Sequence, residues 1–391
     1  MQIPDYVLFI MNKLIAGGYE CYLVGGCVRD ALMGVAPHDY DIATSALPSE
    51  MKTVFAGERV IETGLKHGTL TVLFGTNAVE ITTYRIDGEY DDNRHPREVS
   101  FTRSLHDDLS RRDFTVNAMA MSVDGEIIDL FGGREDLKTG LIKCVGEPAL
   151  RFNEDGLRIM RALRFAATLD FAIAPDTAAA IERMSDLLLG ISVERINAEF
   201  SKLICGAGAE RIFFEFATTL HTVLPEVSVD DIENYSKIIH DMPDNIYIRR
   251  AALFCVPDVA DKVARRLKFS AKERELTYYC TCLLHEMLHD KVLLALYIDK
   301  LGYDLTAVAL ETAGCSDSAE KVRQMQSDGT PISVRSLNVD GNDVMLLGIR
   351  GATVGMVLNQ ALIAVINGDC KNERSALIDF IKATVNGVLT E

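Results

Sequence analysis

The chain has 391 residues, a length suited to about two or three domains, with 48% hydrophobic and 25% charged residues. That balance excludes collagen-like and largely disordered chains, and no apolar run approaches the roughly 18 residues of a membrane span. Lysine and arginine number 40 against 57 acidic residues, and the net charge of −17 argues against a nucleic-acid binder unless the cations cluster.

The opening residues Met1-Gln2-Ile3-Pro4-Asp5 carry no basic stretch, and Asp5 and Lys13 interrupt the apolar run, so no secretory signal is expected. An amphipathic helix is predicted from Tyr6 to Ala16, stopped by Gly17-Gly18. A short strand, Cys21 to Val24, then ends at Gly25-Gly26. Further strands are predicted at Tyr40 to Ala43, Leu70 to Phe74, Val79 to Arg85, Phe114 to Met121 and Ile127 to Leu130, separated by Gly and Asn/Asp turns. The polar stretch between Ile86 and Ser100 has no apolar period and is too long for a simple turn, so it reads as a mobile functional loop. After about Gly146 the alternation fades into helical spacing (Leu157, Met160, Leu163, Ala167), punctuated by prolines to the end of the chain. The expected architecture is an α+β (mixed α/β) head with a small mixed sheet, followed by an all-helical remainder. Between Arg249 and Arg274 stand eight basic residues against three acidic ones, a pattern that fits either a nucleic-acid contact or a solvated helix face. The nine cysteines lack Cys-x-x-Cys spacing and fit reduced thiols in a cytoplasm.

Three stretches carry chemistry. In Leu23-Val24-Gly25-Gly26-Cys27-Val28-Arg29-Asp30, a strand ending in two glycines lets the backbone approach a phosphate, and the next helix offers N–H groups and Arg29. Asp39 and Asp41 follow, two residues apart, so on a strand both carboxylates point to one side, as a Mg²⁺ pair would require. Glu80 lies in Val79-Glu80-Ile81, where an acid in a strand-like run is out of place. The second stretch is Arg111-Arg112-Asp113-Phe114-Thr115-Val116-Asn117. In the third, Asp155, Arg158, Arg161 and Arg164 recur every three residues along one helical ridge. By pattern alone that ridge also fits a helix braced by i,i+3 ion pairs.

Taken in order, these motifs resemble those of class II tRNA nucleotidyltransferases, the family of CCA-adding enzymes and bacterial poly(A) polymerases within the DNA polymerase β-like superfamily. Val193-Glu194-Arg195-Ile196-Asn197-Ala198-Glu199-Phe200 resembles the family's neck, Leu267 to Glu273 its body, and Val339 to Asp343, Leu347-Gly348 and Asn372-Glu373 the tail of its tRNA-adding members. The resemblance implies a catalytic head (1–145), a base-reading neck (146–206), an RNA-binding body (207–320) and a tRNA-binding tail (321–391). It implies Asp39 and Asp41 as Mg²⁺ ligands, with Glu80 as third carboxylate near the attacking hydroxyl. Gly25, Gly26 and Arg29 would bind the triphosphate, and Arg111, Arg112, Asp113 and Asn117 the phosphates and ribose. Asp155 and Arg158 would read the base, with Arg161 and Arg164 further along the ridge as phosphate contacts or support. The implied partners are CTP, ATP and the 3′ end and acceptor arm of tRNA, with neither membrane nor protein partner. A full loop from Ile86 to Ser100, with Arg94, Pro96 and Arg97, would distinguish complete C-C-A addition from CC-only addition, and the tail resemblance would set tRNA addition apart from poly(A) synthesis, with A-only addition as a further alternative.

The base-reading role has a physical rationale. Cytosine and adenine both present an amine donor beside a ring-nitrogen acceptor, whereas uracil and guanine present a carbonyl beside a ring N–H. A carboxylate accepts and a guanidinium donates, so an Asp–Arg pair fits C and A and mismatches U and G. A competing motif, His285-Glu286-Met287-Leu288-His289, satisfies the zinc-protease pattern, with Glu311 as a conceivable third ligand. It falls in the helical body, away from every other constellation, where helix packing is the simpler account of both histidines. A non-catalytic RNA-binding protein would not need Asp39, Asp41 and Glu80 together.

Overall fold

The computed structural model describes residues 3–62, 64, 65, 68–87, 99–285 and 290–388. It separates into two units, Met1–Lys237 and Ile238–Glu391.

The first unit opens with α1 (Asp5–Ala16), whose Val7, Ile10, Met11 and Leu14 are buried at the i, i+3, i+4, i+7 spacing of one helix face. Then come β1 (Cys21–Val24), α2 (Gly26–Leu32), β2 (Asp41–Thr44), α3 (Pro48–Val54), β3 (Arg59–Ile61), β4 (Thr69–Phe74), β5 (Asn77–Thr83), β6 (Arg85–Asp87), β7 (Val99–Phe101), α4 (Leu105–Ser110), β8 (Met119–Met121), β9 (Ile127–Asp129), α5 (Gly133–Thr139) and β10 (Leu141–Ile142). Seven strands form one sheet in the order β3-β4-β5-β2-β1-β8-β9, antiparallel except for the parallel β2–β5 pair. Its period-2 alternation decides the site. Ile42, Val79 and Ile81 turn into the core beneath α1, while Ala43, between Asp41 and the sheet interior, packs on the opposite face with Tyr84 and Leu109. Asp41 and Glu80 therefore leave the sheet on the face away from α1.

The edge strand β3, with its largely exposed Arg59-Val60-Ile61, carries no buried apolar pattern and was not foreseen from sequence. The strand expected over Phe114 to Met121 is shorter. Phe114 makes one bridge to Cys144, Thr115–Asn117 form a 3₁₀ turn, and only Met119–Met121 is strand. Side chains compete with the ladder here: Asp113 accepts from the Phe114 N–H at 2.9 Å, and Thr115 Oγ1 donates to Asp136 at 2.6 Å. Gly133 makes room for the turn, because a Cβ there would lie 2.2 Å from the Thr115 carbonyl oxygen. The ends of the expected functional loop pair as a hairpin, Arg85–Asp87 against Val99–Phe101. Residues 88–98, including Arg94, Pro96 and Arg97, lie outside the described residues.

Helices follow: α6 (Pro148–Glu154), α7 (Leu157–Leu169), then β11 (Ala172–Ile173), α8 (Pro175–Arg183), α9 (Val193–Leu203), α10 (Ala209–Glu215), α11 (Ala217–Val223) and α12 (Val229–Ile239). The second unit is built of α13 (Ile246–Phe254), α14 (Pro257–Arg266), α15 (Ala271–His285), α16 (Lys291–Leu301), α17 (Tyr303–Thr312), α18 (Ser316–Ser327), α19 (Gly341–Leu346), α20 (Ala352–Asn367) and α21 (Arg374–Val388). No helix among the described residues is long and apolar enough to cross a membrane.

The basic run of this unit is partly internal. Arg250 is fully buried, with its guanidinium 3.9 Å from the Phe269 ring centre and paired with Glu273 at 3.3 Å. Lys262, Arg265, Lys268, Lys272 and Arg274 are exposed. His285 is also exposed rather than packed, at the end of α15, while Glu286 and His289 lie outside the described residues. Glu311, the conceivable zinc ligand, is engaged by Arg323, and Cys280 and Cys282 are buried in the helical core.

Candidate active site

The site begins where β2 and β5 run side by side. Their parallel register sets Asp41 opposite Glu80, which brings two carboxylates to adjacent positions of one sheet face. Asp39 lies in the bend before β2 rather than on the strand, so its alignment with Asp41 is not the strand geometry expected from the two-residue spacing. It is still close enough to act on Asp41. Burial, then Glu80, then Asp39 push the Asp41 carboxyl above the ordinary aspartate range, with Arg112 opposing.

Beside the carboxylates, Gly25 caps α2 with φ 75° and ψ −135°, a conformation that an L side chain would strain. Its missing Cβ also leaves space for Arg112, whose Nη1 lies 3.2 Å from where that atom would sit. Arg29, one turn into α2, donates to Asn117 Oδ1 at 2.8 Å and to Asp30 at 2.7 Å, and it lies next to Gly26. The glycine turn, Arg29, Arg112 and Asn117 thus converge.

The two arginines after α4 are held by a residue the motifs did not single out. Asp108, 1% exposed, accepts from Arg111 at 2.6 Å and from Arg112 at 3.1 Å. Burial alone would raise its pKa, but the two guanidiniums outweigh burial and hold it below the ordinary value. Asp113 behaves alike: burial opposes ionisation, and Arg161, at 2.7 Å, holds its carboxyl down. Asp113 also accepts from Asn117 Nδ2 at 3.3 Å.

The ridge expected from Asp155 to Arg164 is broken at its start. Asp155 caps the end of α6 in extended backbone (φ −146°, ψ 104°), and α7 begins only at Leu157. The i,i+3 pair between Asp155 and Arg158 does not form. Asp155 instead accepts from Arg195 of α9 at 2.7 Å, while buried Arg158 donates to Glu154 at 2.5 Å and to the Arg111 carbonyl at 2.9 Å. Further along, Arg164 pairs with buried Glu199 at 2.8 Å, and Arg161 reaches the same carboxylate at 3.5 Å. Glu154, Arg195 and Glu199 are partners that residue spacing could not reveal, although Arg195 and Glu199 lie in the stretch that resembles the family's neck.

Comparisons with known proteins give the family. Residues 21–143 match the family model described as poly A polymerase head domain, and residues 170–231 match the one described as probable RNA and SrmB-binding site of polymerase A. The CCA-adding enzyme of Leuconostoc mesenteroides is 36% identical over 387 residues, 96% of each chain. The chain belongs to the CCA-adding enzyme family. The crystal structure of the Bacillus stearothermophilus CCA-adding enzyme in complex with CTP superposes with a TM-score of 0.84 at 32% identity, covering 100% of both chains. The Thermotoga maritima CCA-adding enzyme complexed with tRNA, at 21% identity and a TM-score of 0.67, shares the fold.

CCA-adding enzymes are nucleotidyltransferases, and the family uses a divalent metal. Among the described residues no three His, Cys, Asp or Glu side chains form a preassembled metal cluster. The residues nevertheless fit a hard cation that keeps most of its waters and shares substrate phosphates, because such an ion needs only one or two protein carboxylates. The Asp41 carboxyl is pushed up first by burial and then by neighbouring Glu80, and a cation held beside it would favour its ionised form.

Asp108→Ala should destabilise the first unit by about 3 kcal/mol, since it removes the buried carboxylate shared by two partly buried guanidiniums. The pH sign follows from the depressed folded pKa. Asp108 contributes its full stabilisation above the ordinary value of 3.8 and loses it as pH falls through the lower folded value. Urea melts from neutral to acid pH should show a flatter acid slope in Asp108→Asn than in the wild type. Identical slopes would show that the carboxylate contributes nothing to folding.

Proposed function

We propose that this chain adds C, C and A in turn to the 3′ end of tRNA from CTP and ATP, without a nucleic-acid template, releasing pyrophosphate. The observation that carries the reading is the Asp41–Glu80 pair set beside the Gly25 turn and Arg112. On this reading the carboxylates that would bind metal stand next to the turn that would cradle phosphate.

Asp41 and Asp39 would hold Mg²⁺. When bound, the ion supplies positive charge that favours ionisation of the RNA 3′-hydroxyl and stabilises the leaving pyrophosphate. Glu80 stands as the third carboxylate beside the attacking hydroxyl. The Gly25–Gly26 backbone and Arg29 receive the triphosphate, and Arg112, fixed at one end by Asp108, reaches the same turn. Asp113 and Asn117, which bond each other, face the phosphates and ribose. Asp155 accepts from the exocyclic amine of C or A, and Arg158 donates to the adjacent ring nitrogen. Arg161 and Arg164 support this row through Asp113 and Glu199.

The division into head (1–145), neck (146–206), body (207–320) and tail (321–391) belongs to the same reading, with tRNA held by the helical domains. All nine cysteines are free thiols, which suits a reducing cytoplasm. The test is incubation with tRNA lacking its 3′ end and labelled CTP and ATP, followed by sequencing of the product. The expected product is one complete C-C-A triplet. A long A tail would assign poly(A) synthesis, and a product stopping at C-C, or extended only by A on tRNA ending in C-C, would assign partial addition.

A further inference from the structure

Three of the guanidinium groups considered above surround a single phenyl ring. The ring is that of Phe165 on α7, 6% exposed. Arg164 lies 3.4 Å from its centroid, and Arg29 and Arg161 each lie at 5.3 Å. Phe114 meets it edge-on at 5.8 Å. The glycine-turn helix, the Arg-Arg-Asp-Phe run and the base-facing helix, far apart in sequence, meet at this ring.

Packing alone does not account for the arrangement, because a buried phenyl group is ordinarily enclosed by apolar atoms. Here the negative face of the ring is presented to cations, an attraction that strengthens as water is excluded. Carboxylates keep the cations from repelling one another: Asp30 takes Arg29, Asp113 takes Arg161, and Glu199 takes Arg164. Arg29 is further tied to Asn117, and its Nη2 lies 3.6 Å from where a Cβ of Gly26 would sit. A long, flexible side chain is thereby held in one place beside the phosphate turn.

We infer that Phe165 is a positioning residue for the triphosphate, its ring fixing Arg29 beside the Gly25–Gly26 turn before the nucleotide arrives. The inference rests on the nucleotide reading of the site given above. Such preorganisation lowers the ordering cost of binding. It concerns the polyphosphate and not the base, because the cations over the ring include Arg29 beside the glycine turn, whereas Asp155 and Arg158 are held by Arg195 and Glu154 instead.

The experiment compares wild type, Phe165→Met and Phe165→Tyr, each first checked for its melting temperature. KM and kcat for CTP are measured on tRNA lacking its 3′ end, together with inhibition by inorganic tripolyphosphate and by cytidine. Phe165→Met keeps the bulk and loses the quadrupole. It should raise KM for CTP and the inhibition constant of tripolyphosphate about tenfold, with kcat and cytidine inhibition within about twofold. Phe165→Tyr keeps the ring and should stay near wild type. Unchanged tripolyphosphate inhibition in Phe165→Met, or equal weakening of tripolyphosphate and cytidine, would overturn the inference and leave the ring as core packing. If Phe165→Met does not fold, Phe165→Leu takes its place with the same expected result, and failure of both to fold would likewise assign the ring to the core. A wild type that incorporates CTP but is not inhibited by tripolyphosphate would also overturn the inference, whereas a wild type that incorporates neither CTP nor ATP would remove the nucleotide reading itself.

Discussion

Asp41→Ala is expected to lower nucleotide incorporation by about a thousandfold or more, the effect of losing ~4 kcal/mol of transition-state stabilisation. Retention of tRNA on filters should not fall, because a carboxylate repels RNA phosphates and its removal takes away no attraction to the RNA. The fold should not suffer either. The Asp41 pKa is raised, chiefly by burial and then by Glu80. A raised acid pKa means that folding disfavours the ionised form, so stability declines as pH climbs past 3.8 through the higher folded value. Asp41 is exposed at the start of β2, so solvent screens this penalty and the variant should melt at about the wild-type temperature. Added Mg²⁺ should raise the wild-type melting temperature by binding the folded site and leave the variant unmoved. Near-wild-type turnover in Asp41→Ala, or an equal Mg²⁺ shift in both proteins, would remove Asp41 from the metal site.

Asp155→Ala is expected to lower the preference for CTP and ATP over UTP and GTP by about tenfold to a hundredfold, in line with the ~1–3 kcal/mol cost of an unmatched buried hydrogen-bonding group. In the structure its carboxylate is not spent on Arg158. Arg195 holds it from α9, and Glu154 holds Arg158. The two side chains are thus supported separately, which leaves each with its own capacity to accept or donate toward one base edge. Arg195→Met provides the control. It removes the same ion pair and leaves the carboxylate, so it should share the loss of melting temperature and keep more of the selectivity. If Asp155→Ala melted lower with its nucleotide preference intact, the carboxylate would be a structural partner of Arg195 and nothing more.

How much of this was legible in advance depended on the range of the interaction. The i, i+3, i+4, i+7 spacing of Val7, Ile10, Met11 and Leu14 sufficed to place α1. The glycine pair ending a β run marked the turn between β1 and α2. Glu80, an acid between Val79 and Ile81, was recognisable because alternation along a strand is a local property. The ordered motifs also identified the family, since motif order is itself information in the chain.

Local period failed where a segment broke its own regularity. Spacing put Asp39 on a strand and Asp155 on a helix, yet one lies in the bend before β2 and the other in the extended cap of α6. Composition likewise counted Arg250 in a basic surface, although Phe269 and Glu273 enclose it. The sequence by itself determined α1, most strands of the large sheet, the motif residues and the family, because these depend on neighbours a few positions apart. Only the tertiary structure decided that Asp41 stands opposite Glu80, that Asp108 grips both arginines, that Asp155 answers to Arg195, and that three guanidiniums share the ring of Phe165. Most of these pairings join separate elements; the first depends on the backbone register of two strands and the others on electrostatic attraction and hydrogen-bond geometry, and all act over a few ångströms of space that spacing along the chain does not record.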